Sequence, residues 1–240
     1  MKAPEGGAGR AQGELAQGAS RPAATLGERA YALLKRRIVS NELSPGAAID
    51  EREVALELGM SRTPVREAVI RLQGEELVEV APRRGIRVLP LSRDAMREIY
   101  QILTGLETEA AGLLAARAPK EAQLQALTQA LDGMRSALSE EELTAYTDWD
   151  ERFHRGLLEL CGNRRLAAAG LRYRDQVQRA HVIALRLRPP PARSVAAHEE
   201  LVRLLLAGDE AAARASHYAQ RVRAERELMD AVERHGLTVL

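Results

Sequence analysis

Apolar residues recur at the three- and four-residue spacing of a helix through most of this chain, and the places where the spacing changes mark its parts. Between Leu26 and Ser40 the stripe Ala30, Leu33, Leu34 and Ile38, with Tyr31 beside it, predicts a first helix. Asn41 to Gly46 reads as a turn and Ala47-Ala48-Ile49 as a short strand. Two short amphipathic helices follow. Glu51 to Leu58 puts Val54, Ala55 and Leu58 on one face, and Gly59 supplies the left-handed conformation that ends a helix. Ser61 stands at the N-cap of the next helix, and Pro64 falls in its first turn, where a missing N–H costs nothing. That helix buries Val65, Ala68, Val69 and Leu72. The period then switches to two. Glu75–Val80 and Ile86–Leu89 alternate around Ala81-Pro82-Arg83-Arg84-Gly85, which predicts a β-hairpin, with Ala47–Ile49 pairing beside it.

Leu89-Pro90-Leu91-Ser92 reads as a linker with Ser92 as an N-cap, and beyond Arg93 the strand patterns stop. Breaks at Pro119, Ser139, Gly162-Asn163, Pro189-Pro190-Pro191 and Gly208 place helices near 93–117, 120–138, 140–160, 164–187, 192–206 and 209–234. Residues 1–24, rich in Gly, Ala, Gln and Pro, read as a disordered tail. The expected architecture is mainly α. A winged helix-turn-helix with a small β-hairpin wing spans 25–90, and an antiparallel all-α bundle spans 91–240.

Charge refines this picture only through placement. The whole chain carries a net +1. Residues 25–89 hold 11 basic and 10 acidic side chains, 11 − 10 = +1 again. An argument for nucleic acid therefore rests on where the arginines sit. On the second short helix Arg62 and Arg66 are four apart and project the same way. Docked N-terminus first into a major groove, that helix would bring Ser61, Arg62, Thr63 and Arg66 to phosphates and base edges. The hairpin tip adds Arg83 and Arg84, suited to a minor groove or a phosphate. The same residues also suit an ordinary helical hairpin with a solvated face. The one cysteine, Cys161, excludes an internal disulfide and reads as a small buried hydrophobe in a reducing cytosol. No apolar run approaches a membrane span and the start lacks a signal-peptide core, so a cytoplasmic location without membrane contact is expected.

In the second half, Asp150 and His154 are four apart on one helix and can share a metal ion, with His198 as a third ligand; such pairs are more often simply hydrogen-bonded. Asn163 reads as a helix N-cap, and Trp149 and Phe153 as core.

Residues 25–90 resemble the GntR family of bacterial transcription regulators. The resemblance rests on Ala30-Tyr31-Ala32-Leu33-Leu34-Lys35-Arg36-Arg37-Ile38, Leu43-Ser44-Pro45-Gly46, Arg52-Glu53-Val54-Ala55 and Ser61-Arg62-Thr63-Pro64-Val65-Arg66-Glu67-Ala68 in that order. The second half resembles the FCD effector domain of the same family, through Leu106-Glu107 with Ala110-Ala111, Asp150 with Phe153-His154, Cys161-Gly162-Asn163, His198 with Leu201, and Ala207-Gly208-Asp209 with Ala212.

The resemblance implies DNA contacts at Arg52, Ser61, Arg62, Thr63 and Arg66, with the Arg84-Gly85 wing tip in the minor groove. It implies a homodimer on a near-palindromic double-stranded operator, and a repressor controlled by a small-molecule effector, the family expectation being a carboxylate. It also implies a divalent metal (zinc, nickel or manganese) on Asp150, His154 and His198. The family's fourth ligand, a histidine, falls at Gln220; His217 is three residues earlier. Three outcomes stay open: His217 serves in a shifted helix, Gln220 binds ion or effector, or no metal is held. An arginine usual four residues before Glu107 is Leu103 here. Arg172, Arg174 and Arg179 could replace it, although a solvated face is the expected place for at least two of them. Two other readings are a metal-dependent enzyme using Asp150, His154 and His198, and an effector-free DNA binder whose bundle serves only dimerisation. The enzyme is disfavoured because no separate base, nucleophile or oxyanion arrangement is evident.

Overall fold

The computed structural model describes residues 24–184 and 192–237. The tail expected over 1–24, Ala24 apart, and the break at Pro189–Pro191 lie outside the described residues. In chain order the elements are α1 (Leu26–Val39), β1 (Ala48–Ile49), α2 (Glu51–Glu57), α3 (Arg62–Gly74), β2 (Val78–Ala81), β3 (Gly85–Val88), α4 (Arg93–Ala115), a single 3-10 turn (Glu121–Leu124), α5 (Gln125–Ser139), α6 (Leu143–Leu160), α7 (Arg164–Ala184), α8 (Ala192–Ala207) and α9 (Glu210–Arg234).

The head folds around the predicted stripes. Ala30, Leu34 and Ile38 of α1 pack on Val65, Ala68, Val69 and Leu72 of α3, all buried, with Ile49, Val78, Ile86 and Val88 closing the core from the sheet. Thr25 and Glu28 form a reciprocal cap on α1. β3 lies between β1 and β2, antiparallel to both, with Ile86 opposite Ile49 on one side and Val80 on the other. The first wing strand starts three residues later than the alternation predicts. Glu75 is the C-cap of α3, Glu76 takes a left-handed φ of 59°, and Leu77 N–H bonds back to the Leu72 carbonyl, so the chain is still leaving the helix there.

The second half is helical throughout its described residues, and its apolar side chains fall into two clusters. The larger joins α4, α5, α6 and α8 through Ala110, Leu114, Leu127, Met134, Phe153, Leu157, Leu201 and Leu205. The smaller joins α4, α7 and α9 through Met96, Tyr100, Leu103, Val177, Ala180, Leu228 and Val232. Ser92 caps α4, its hydroxyl accepting the Ala95 N–H at 3.1 Å, and Asn163 caps α7 by accepting the Leu166 N–H at 3.1 Å, as read from the sequence. The helix expected over 140–160 begins only at Leu143, because Glu140 still closes α5 and Glu141 turns left-handed at φ 60°.

Gly133 of α5 lies under the Trp149 ring of α6, where a Cβ would enter the van der Waals surface of the indole. Alanine favours a helix over glycine by about 1 kcal/mol, yet Gly133→Ala should lower the thermal midpoint, because the ring has to move out of a packed interface. A melt of the variant showing a rise would refute this account of the α5–α6 seam.

Candidate nucleic-acid interface and buried polar site

Arg52 of α2, Arg62 and Arg66 of α3, and Arg84 and Gly85 of the wing line one concave surface of the head. Ser61 and Thr63 are exposed at its edge. Ser61 holds the extended backbone of an N-cap (φ −71°, ψ 169°), but its hydroxyl makes no capping bond. Arg62 leans on Glu51 at 3.3 Å and stays 59 % exposed, a pair that solvent weakens. The wing tip is a three-residue loop between paired Ala81 and Gly85, with Arg83 left-handed at φ 66° and Arg84 exposed. Five of the seven residues expected to touch DNA thus share one face, and the other two border it.

The bundle holds a polar layer between its two apolar clusters. At its centre Glu107 of α4 is fully buried. His154 Nδ1 lies 2.8 Å and His217 Nε2 3.1 Å from Glu107 Oε2. Arg174 donates to Oε1 at 3.3 Å, and Arg221 Nε stands 3.5 Å from Oε2. Burial opposes ionisation of Glu107, but Arg221, His154 and Arg174 outweigh it and hold the carboxyl well below the usual carboxylate range. An ionised carboxylate only accepts, so both imidazole nitrogens facing it carry protons. Burial also pushes His154 down to about 3, against the pull of Glu107, so this ring is neutral and its Nε2 bears a lone pair.

That lone pair faces Asp150, whose Oδ2 is 3.8 Å away; Asp150 Oδ1 is 3.1 Å from His198 Nε2. Phe153, read as core, is buried and stacks on the His198 ring with centroids 4.2 Å apart, which orients it. Burial raises the Asp150 carboxyl, and His154, His198 and Arg174 together bring it far below its ordinary value. The ligand atoms of Asp150, His154 and His198 lie within 4.8 Å of one another. Glu107, His154 and His217 form a second such trio. Its carboxylate is already taken by two guanidinium groups, and His154 turns a proton, not a lone pair, toward it.

His217 is therefore turned to Glu107, away from the trio that it was one of the candidates to complete. Gln220, one turn on, reaches the chamber beside Asp150 and His154; its Nε2 donates to Ser194 Oγ at 3.3 Å, and its Oε1 has no hydrogen-bond partner. The expectation that at least two of Arg172, Arg174 and Arg179 lie on a solvated face is corrected. Arg174 and Arg179 are buried, because α7 packs between the bundle and the head; the Arg172 side chain, 40 % exposed, pairs with Glu76. Leu103 belongs to the smaller apolar cluster. Sequence reasoning missed Arg221 entirely and gave Glu107 no role in the site. No local signal marked either residue, since the burial around them is seen only in the fold.

Residues 26–88 match the gntR family of bacterial regulatory proteins, and residues 98–220, just over half of the chain, match the FCD domain. The chain belongs to the GntR family, with an FCD domain behind its DNA-binding head. It is a transcription regulator that binds DNA and carries an effector-binding domain, not an enzyme. An HTH-type transcriptional regulator in the TAR-I ttuE-ttuC′ intergenic region of Agrobacterium vitis is 41% identical over 131 residues, 54% of this chain and 77% of its own. The HTH-type transcriptional repressor RspR of Escherichia coli K12 is 32% identical over 139 residues, 58% of this chain and 60% of its own. Among solved structures, E. coli McbR/YncC superposes with a TM-score of 0.76 at 22% identity, covering 86% of this chain and 98% of that one. Such a likeness bears on the fold alone. No described helix is long and apolar enough to cross a membrane.

The polar layer of this GntR-family bundle makes a pH prediction for metal-free protein. The folded pKa of His154, about 3, lies below its ordinary 6.5. Unfolding therefore takes up a proton between those values. The stabilisation is fully present above pH 6.5 and is lost as pH falls toward 3, at up to about 1.4 kcal/mol per pH unit for one group. Denaturant titrations in chelator from pH 7.5 to 5 should show stability falling in the wild type and a shallower slope in His154→Gln. Parallel slopes would show that His154 is not buried neutral.

Proposed function

We propose that the protein is a cytoplasmic repressor that binds a near-palindromic operator as a homodimer and responds to a small carboxylate and a divalent ion in its bundle. The observation that carries the DNA half is the single surface joining Arg52, Arg62, Arg66, Arg84 and Gly85. Arg62 and Arg66 read bases or the phosphates beside them, Ser61 and Thr63 hold phosphates, and Arg84-Gly85 enters the minor groove. One such surface spans too few base pairs for strong selection, which favours two heads on two half-sites. Repression is the role named for RspR.

The effector half rests on the chamber lined by Tyr146, Asp150, His154, Ser194, Gln220 and Arg221. One carboxylate oxygen and two imidazole nitrogens suit zinc, nickel or manganese. Asp150, His154 and His198 would hold the ion, and Glu107 would orient His154 from behind, as second carboxylates do for metal-bound histidines. The ion would supply a fixed positive charge for a carboxylate. Arg221 Nη2 and Gln220 Oε1 are buried without hydrogen-bond partners, so an anionic oxygen and a neighbouring hydroxyl would satisfy both. The chamber is about 20 Å³ in this form, room for little more than a water. A multi-atom effector has to spread α6 from α9, which ties binding to a change of shape.

Two measurements test this reading. Arg66→Ala should weaken binding to a selected operator by about 1–3 kcal/mol at fixed salt while leaving the melting curve in place, since Arg66 is exposed. Unchanged affinity would remove Arg66 from the interface. Elemental analysis of untagged protein should find about one ion per chain, lost in His154→Ala. Wild type that neither carries nor takes up zinc, nickel or manganese would leave the chamber a metal-free site.

A further inference from the structure

Adjacent residues of α7 face opposite parts of the molecule. Arg174 turns into the polar layer, where it bonds Glu107 at 3.3 Å and grips Glu151 of α6 through two nitrogens. Asp175 turns toward the head, with Oδ2 at 2.5 Å from the Lys35 ammonium of α1. Lys35 also holds Glu75 at 2.8 Å, and Glu75 is the C-cap of α3, the helix expected to read DNA. Arg155 of α6 closes the gap from the other side. Its Nη1 is 2.8 Å from Asp175 and 3.5 Å from Glu151, so one guanidinium is shared unequally between two carboxylates. The pairs are sheltered: the side chains of Asp175, Glu75 and Lys35 are 8%, 19% and 20% exposed. Gln176 adds a bond from its Nε2 to the Glu75 carbonyl at 3.0 Å.

We infer that Glu151, Arg155, Asp175, Lys35 and Glu75 form the coupling device through which occupancy of the bundle chamber sets the seating of α3 against DNA. The inference rests on the chamber being a ligand site, and Glu151 directly follows Asp150, one of its walls. Spreading α6 moves Glu151 and Arg155 together with Asp150. Arg155 then trades its long contact against its short one, and Asp175 tightens or releases Lys35 accordingly. Partly buried pairs are weakly screened, so the effect reaches the C-terminus of α3 without a wholesale change of packing. Both ends bias one two-state element, the physical requirement for coupled sites.

The test is a double-mutant cycle on DNA affinity, using a duplex selected from random sequence by the wild type, with and without zinc. Glu151→Gln and Lys35→Met sit at opposite ends and do not touch. Their effects should be non-additive by about threefold or more, whereas unconnected sites add to within about twofold. Any zinc response of the wild type should vanish in Lys35→Met and return in Lys35→Arg. Asp175→Asn, which keeps shape and removes charge, serves if Lys35→Met does not fold. Additive effects, or a zinc response that survives in Lys35→Met or Asp175→Asn, overturn the relay whatever the metal does. A wild type that takes up zinc without a change in DNA affinity overturns control by the chamber even where the cycle is non-additive, whereas one that takes up no zinc overturns only the metal reading and leaves the cycle to decide the relay.

Discussion

A carboxylate sealed from water at the centre of a helical bundle is the constraint to which the rest of this structure answers. Stripping water from an ion costs several kcal/mol even after relaxation, and only close, well-directed partners offset that. Glu107 finds them on three other helices: His154 on α6, Arg174 on α7, and His217 and Arg221 on α9. Each is itself buried. None of the set can be placed without the others, so α4, α6, α7 and α9 are fixed in mutual register by polar contacts as much as by the apolar clusters above and below. Arg221 is further held over the Tyr100 ring, 4.8 Å from its centroid.

The chemistry of the chamber follows from that one charge. Because Glu107 is ionised, His154 must give it the Nδ1 proton, which leaves Nε2 as the basic atom beside Asp150. The tautomer is decided on one side of the ring and its use on the other. The same logic turns the Nε2 proton of His217 to Glu107 and, without an ion, that of His198 to Asp150, so an ion on Asp150, His154 and His198 would first have to displace the His198 proton. Position 220 then becomes the one on α9 that reaches the chamber, and there an amide stands in place of an imidazole. An amide oxygen is a harder and weaker donor than a histidine nitrogen, so the proposed ion would meet three strong ligands and one weak one.

The head was legible from sequence almost to the residue, because its signals are local. Gly59, Ser61 and Pro64 fix where helices stop and start, and four apolar positions on α3 fix which face is buried. Boundaries slipped where one residue's backbone decided, at Glu76 and Glu141, both left-handed without being glycine. The bundle was legible as a set of helices, and Asp150, His154 and His198 were brought together as expected. What could not be read was the interior of the polar layer. On α7, Arg174 and Arg179 read locally as surface arginines, and nothing local tells a guanidinium facing water from one facing a partner on another element. Glu107 and Arg221 are more than a hundred residues apart, and only the packing of α4 on α9 makes them a pair.

On the proposed reading, the junction between the two parts is where a small molecule in the bundle would come to matter to the head. Each part has its own apolar core. Described contacts between them include the Lys35–Asp175 pair, Asn41 on the Arg179 carbonyl at 2.8 Å, Arg179 on the Leu89 carbonyl at 2.5 Å, and Arg172 on Glu76 at 3.0 Å. Burial lowers the Arg179 pKa to about 10, so its charge is retained at neutral pH and its bond to the linker persists. A junction of directional polar bonds differs from a greasy one in a useful way. It holds one geometry well, but each bond contributes only about 1 kcal/mol net. The free energy needed to exchange two or three of them is then of the same order as typical coupling between distant sites, about 1–3 kcal/mol. A core shared between head and bundle would have demanded far more than coupling of that size.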